Sequence, residues 1–176
     1  MTADKQSKLK LFLKKKNIEI SVQRYFIDAL GSMAQGLFAS LLIGTILNTL
    51  GQQLGIPFLS ETVWPIANSM TGSAIGVAVA YALGAPPLVL FSSTITGAAG
   101  NALGGPAGAF VAALIGTEFG KLVSKETKLD IIVTTGTTIL SGVLVGTIIG
   151  PVIGGIMTAT GEVVMYATEL APFAMG

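Results

Sequence analysis

Glu118 is the sharpest candidate for chemistry in this chain. It stands in the run Gly116-Thr117-Glu118-Phe119-Gly120, at the end of a long uncharged stretch. A carboxylate held at the centre of a bilayer costs about 2.5–3.5 kcal/mol, so one that persists there faces a cavity or a partner. Glu118 therefore either accepts hydrogen bonds from the hydroxyls of a polar ligand or lies at the membrane boundary and pairs with Lys121 or Lys125. Asn101, amid the glycines and alanines of residues 97–105, either donates and accepts to a hydroxylated ligand or serves as a turn residue. Ser92, Ser93 and Thr96 line a cavity or bond back to carbonyls of their own helix. Asn68 holds a ligand or bonds a neighbouring helix. Together these side chains suit the holding and orienting of a polar solute rather than covalent attack.

The 176 residues include no Cys and no His. Thiol and imidazole chemistry, disulfides and the usual metal-ligand sets are excluded with them. No Gly-Lys-Ser/Thr follows the glycine runs, so the chain has no phosphate loop. No catalytic residue, metal, cofactor or nucleic-acid partner is expected.

These residues need elements to position them, and the charge pattern says which. Charged residues are 11% of the chain and hydrophobic ones 51%, too few charges to coat a soluble fold. Seven of the ten basic residues lie between Lys5 and Arg24, and the others are Lys121, Lys125 and Lys128. Between Glu61 and Glu118, and again between Asp130 and Glu162, no residue is charged. Each run exceeds the ~20 residues that cross a bilayer. An all-α, polytopic membrane bundle is expected, with spans over about 27–50, 63–83 and 131–157. A basic segment, 1–24, precedes the transmembrane domain, 25–176. Within it Leu9, Phe12 and Leu13 share a helical face with lysines around them. That pattern reads as an interfacial helix on the lipid bilayer or as a solvated tail that fixes topology. The spacing of Trp64 and Tyr81 matches the two edges of one span.

Both basic clusters belong on the cytoplasmic side of the plasma membrane, with the N-terminus cytoplasmic. The chain must then cross an even number of times between Arg24 and Lys121. Two spans use two crossings, so the interrupted segment 84–120 adds two short crossings or none. Pro86-Pro87 at its start, its hydroxyl-rich arm and its Gly-rich centre favour a re-entrant hairpin with a tip near Asn101. Broken backbone at that depth is tolerated only where it is buried in protein or lines a water-filled cavity. In the last span Gly142, Gly146, Gly150 and Gly154 recur every four residues, a close-packing stripe, and Pro151 predicts a kink.

Three stretches together carry a resemblance: Gly97 to Gly116, Gly142 to Gly155, and the ending Glu169-Leu170-Ala171-Pro172-Phe173-Ala174-Met175-Gly176. They resemble the membrane-embedded IIC permease of the bacterial phosphoenolpyruvate-dependent sugar phosphotransferase system (PTS), in its smaller, largely stand-alone family. The resemblance covers nearly the whole chain after the basic N-terminus. It implies a sugar-type substrate, a homodimeric permease and cytoplasmic PTS carrier proteins as partners. Members of the family are longer, so this chain is expected to be an N-terminal half. The membrane histidine of the best-studied families has no counterpart here, and any phosphoryl group must come from a separate protein. Two other functions fit the residues: a permease for another small polar solute, and a non-transporting membrane scaffold or regulator.

Overall fold

A computed structural model describes the backbone of residues 2–170 and the side chains of residues 8–166. Most of the Glu169-to-Gly176 ending lies outside the described residues. Helix α1 (Thr2–Lys15) ends where Asn17 takes a left-handed turn (φ 55°). Helix α2 (Gln23–Leu54) follows; its 32 residues make about 48 Å of helix at 1.5 Å per residue. Two wider π-helical stretches, Gln23–Asp28 and Phe38–Leu42, interrupt its regular winding. Gly55, at φ 64°, stops it.

The chain returns through α3 (Phe58–Ser69) and α4 (Thr71–Ala82), bent by 44° at the break between them. This pair runs antiparallel to α2. A Cβ on Gly51 would stand 2.8 Å from Leu59 Cβ, one on Gly44 2.9 Å from Ala67 Cβ, and one on Gly36 2.7 Å from the Ala74 carbonyl oxygen. Glycine is what allows the two helices to approach so closely.

Helix α5 (Pro87–Val123) is long and apolar enough to count as one crossing, but it folds back on itself. Gly104 (φ −135°, ψ 15°) and Gly105 (φ 61°, ψ −160°) leave helical geometry and divide it into a first arm, 87–103, and a second arm, 106–123. The arms pack side by side: a Cβ on Gly100 would lie 2.8 Å from Ala112 Cβ, one on Gly116 3.1 Å from Thr96 Cγ2, and one on Gly120 3.0 Å from Val89 Cγ2. A straight helix would hold residues 100 and 112 about 18 Å apart. The backbone of Gly105 explains the turn. Its φ and ψ lie in a region that is nearly glycine-only, and Pro106 starts the second arm with a pre-set φ and no N–H to leave unpaired.

Helix α6 (Asp130–Leu170) lies across both arms. Gly142 meets Thr96 and Ala112, Gly146 meets Gly100, and Gly150 meets Leu103 at 2.9 Å for a Cβ placed there. The helix continues unbroken through Pro151 and past the hairpin tip, where residues 155–166 are exposed throughout.

The buried apolar core is thin: Ala29, Ile75, Val79, Leu83, Ala109 and Ala113, backed by Tyr25, Met33, Leu37, Phe110 and Leu114. Large apolar side chains such as Phe38, Ile46, Phe91, Leu140 and Ile148 point outward instead, as they do in a protein whose solvent is lipid. Among the described residues three helices qualify as membrane spans, four if the bent α3–α4 pair is one span. The protein is an all-helical, multi-pass membrane bundle with a helical hairpin inserted in it.

Candidate functional site

The hairpin has a tip and a base, and the polar residues divide between them. At the tip, Asn101 is half-buried on the last turn of the first arm, and a Cβ on Gly72 of α4 would press on its side chain. The tip therefore ends beside the bend between α3 and α4 on one flank and beside Gly150 and Gly154 of α6 on the other. Helices α2, α3 and α6 continue beyond it. Asn68 sits at the same bend, but it is exposed.

Ser93 and Thr96 lie lower on the first arm and are fully buried. Each hydroxyl donates to its own helix: Ser93 to Leu90 O at 2.6 Å and Thr96 to Ser93 O at 3.0 Å. Ser92 and Thr94 do the same, to Leu88 O and to Phe91 O. A hydroxyl whose proton is spent in this way keeps only acceptor capacity. The Thr96 methyl fills the space that Gly142 and Gly116 leave between α6 and the second arm.

At the base stands Glu118. Its Oε1 accepts from Lys121 Nζ at 3.1 Å, and Lys121 Nζ donates again to Leu83 O at 2.9 Å. The Arg24 guanidinium donates to the same Leu83 carbonyl at 2.7 Å. Leu83 follows α4, whose terminal carbonyls carry partial negative charge, so two cations converge where the helix attracts them. The Tyr25 hydroxyl faces the Glu118 carboxylate, yet no hydrogen bond of normal geometry reaches Glu118 Oε2 or the Thr117 hydroxyl, and both atoms are buried. Two unpaired buried oxygens on adjacent residues are uncommon, because each costs about 1–3 kcal/mol.

Glu118 and Asn101 are therefore not neighbours. The twelve helical steps from Pro106 to Glu118 put the carboxylate about 18 Å below the tip. A groove of about 550 Å³ lies elsewhere, between α2 and α4. Ser32, Gln35, Ser73 and Thr94 line it, whereas Asn68, Ser93, Thr96, Asn101 and Glu118 do not. The sequence singled out neither that groove nor the Arg24–Leu83–Lys121 junction. The groove's polar residues are spaced as ordinary helical residues, and the junction joins chain positions far apart.

No group of three or more metal-binding side chains occurs among the described residues. What remains is a multi-pass membrane protein with a glycine-broken hairpin held between longer helices, of the kind that solute permeases use. The chain belongs to the phosphotransferase system EIIC family, whose family model matches residues 27–176. Membership makes it a membrane component of a PTS permease. No curated protein and no solved structure matches it.

Proposed function

We propose that the chain binds a sugar-type solute beside the hairpin tip and carries it across the membrane for phosphorylation by separate PTS carriers. The break at Gly104–Gly105, stopped between the α3–α4 bend and α6, carries this reading. A helix that ends inside a bundle leaves backbone carbonyls from one arm and N–H groups from the next without helical partners. Permeases use such broken ends to hold polar solutes near the midplane. Asn101 is the side chain placed to hydrogen-bond sugar hydroxyls there. Ser93 and Thr96 shape the wall behind it through packing. Glu118 Oε2 offers an acceptor to a hydroxyl arriving at the base, where the solute would meet its phosphoryl donor. Movement of the hairpin against the glycine stripe of α6 would alternate access. The basic end faces the cytoplasm, the carriers dock there, and two copies of the chain form the working permease.

Uptake of a panel of labelled sugars into vesicles bearing the protein tests this. Sugar phosphate should accumulate only when phosphoenolpyruvate and the carrier proteins are enclosed with it. Asn101→Ala should lower the apparent affinity about five- to tenfold, the worth of one or two neutral hydrogen bonds. Accumulation of unmodified solute without the carriers would reject the phosphotransferase reading. No uptake of any solute in their presence would favour the scaffold.

A further inference from the structure

A second cleft, of about 380 Å³, opens at the base of the hairpin. Lys15, Lys16, Lys121 and Lys125 line it, with Glu126 as the only carboxylate in the lining; Asn17, Gly84 and Ser124 contribute as well. These residues come from three places in the chain. α1 and its exit supply Lys15, Lys16 and Asn17. The turn before α5 supplies Gly84, and the end of α5 with the following loop supplies Lys121, Ser124, Lys125 and Glu126.

The cleft is fixed rather than a chance gathering of surface lysines. Lys16 Nζ donates to the Ser124 carbonyl and pairs with Glu126 at 2.5 Å. Asn17 Nδ2 donates to Gly84 O at 3.3 Å. The backbone N–H of Lys125 donates to Asp130 Oδ1 at 2.6 Å, and its φ of 61° turns the loop sharply. Lys121, only 1% exposed, has two of its three ammonium protons engaged by Leu83 O and Glu118. The third has no acceptor among the described residues, and burying an ammonium donor without a partner is unfavourable. Lys15 and Lys125, at the rim, have no carboxylate within ion-pair distance among the described residues.

We infer that this cleft binds a phosphate-bearing anion, with Lys121 at its floor and Lys15 and Lys125 at its rim. Glu126 answers Lys16 and Glu118 answers Lys121, which leaves the ammonium groups of Lys15 and Lys125, with the third proton of Lys121, to favour an oxyanion. The volume suits a small head group rather than a large ligand. The anion is either the head group of an anionic lipid at the membrane surface or a soluble phosphate. The inference does not depend on which solute the hairpin tip accepts.

Thermal unfolding of the full chain in neutral detergent tests it, with titration by inorganic phosphate in one arm and by phosphatidylglycerol in the other. Sodium chloride at equal ionic strength and phosphatidylcholine are the respective controls. Saturable stabilisation by phosphate alone identifies a soluble ligand, and stabilisation by phosphatidylglycerol alone identifies a lipid. In either case the double variant Lys15→Gln/Lys125→Gln should weaken the apparent affinity about tenfold or more, at roughly tenfold or less per lysine. The variant Lys10→Gln/Lys128→Gln removes the same charge outside the cleft and should leave the affinity unchanged. The inference is overturned if neither anion stabilises the protein beyond its control, or if both double variants weaken binding equally.

Discussion

The Glu118–Lys121 pair shows how much a membrane protein spends on one carboxylate. Lys121 is almost wholly buried, and the Glu118 side chain is 14% exposed. Removing one partner of such a pair strands the other charge, at a cost of about 3–5 kcal/mol in a protein interior. At the end of a bundle, with Arg24 nearby, Lys121→Met should lose about 2–4 kcal/mol in denaturant unfolding. Glu118→Gln/Lys121→Met should lose clearly less than Lys121→Met alone, because no uncompensated charge remains. Glu126 makes a separate, pH-dependent contribution. The hydrogen bond from Lys16, then its charge, holds the carboxyl below the usual carboxylate range. The folded value is depressed, so the stabilisation is fully present above the unfolded value and fades as pH falls through the folded one. Glu126→Gln should flatten that acid limb of the stability–pH curve. At this scale the sequence was legible where partners are close along the chain, as Glu118 and Lys121 are. It was silent on Leu83, Arg24 and Tyr25, which reach Glu118 and Lys121 only through the fold.

At the scale of elements, the hairpin is made by two glycines and a proline. Apart from its own local backbone, no atom of the described residues lies within 4 Å of a Cβ built on Gly105, so Gly105→Ala tests backbone conformation alone. It should destabilise the protein by about 1–3 kcal/mol, the strain of a glycine-only conformation, without any steric clash. Crossings of helices offer the opposite case. A Cβ on Gly97 would stand 2.7 Å from Gly76 Cα, backbone against backbone. Gly97→Ala should cost about 1–3 kcal/mol by forcing α4 from the first arm. Gly155→Ala, in open space on the same kind of helix, should be neutral or stabilising by up to about 1 kcal/mol. Thermal unfolding of the three variants should show Gly105→Ala and Gly97→Ala melting below the parent and Gly155→Ala at or above it. The hairpin could be read in the sequence because Pro86-Pro87 and Gly104-Gly105-Pro106 are local signals of chain reversal. Its tip falls just beyond Asn101. The bend between α3 and α4 carries no such signal: Pro65 sits in the first turn of a helical segment, and the chain bends five residues later, near Met70. The π-helical stretches in α2 and at the start of α3 are equally silent, because their extra residue per turn is set by packing rather than by residue type.

At the scale of the whole molecule, everything turns on which end each loop occupies. Lys16 reaches Ser124 and Glu126, Asn17 reaches Gly84, and Arg24 and Lys121 share the Leu83 carbonyl. The N-terminal basic segment, the start of α5 and its end therefore lie at one end of the bundle, with Gly55 at the other. Charge placement alone had already required an even number of crossings between Arg24 and Lys121, because both clusters of cations avoid translocation. The sequence was less informative about depth, since the length of an apolar run does not say where a hairpin turns. The most direct test is cysteine labelling, for which a chain without native cysteine gives no background. Single variants Lys15→Cys, Lys125→Cys and Gln53→Cys, in sealed vesicles of known orientation, would be exposed to a membrane-impermeant maleimide. Positions 15 and 125 should react from the same side and position 53 from the other. Labelling of positions 15 and 125 from opposite sides would contradict the hairpin and the solute path built on it.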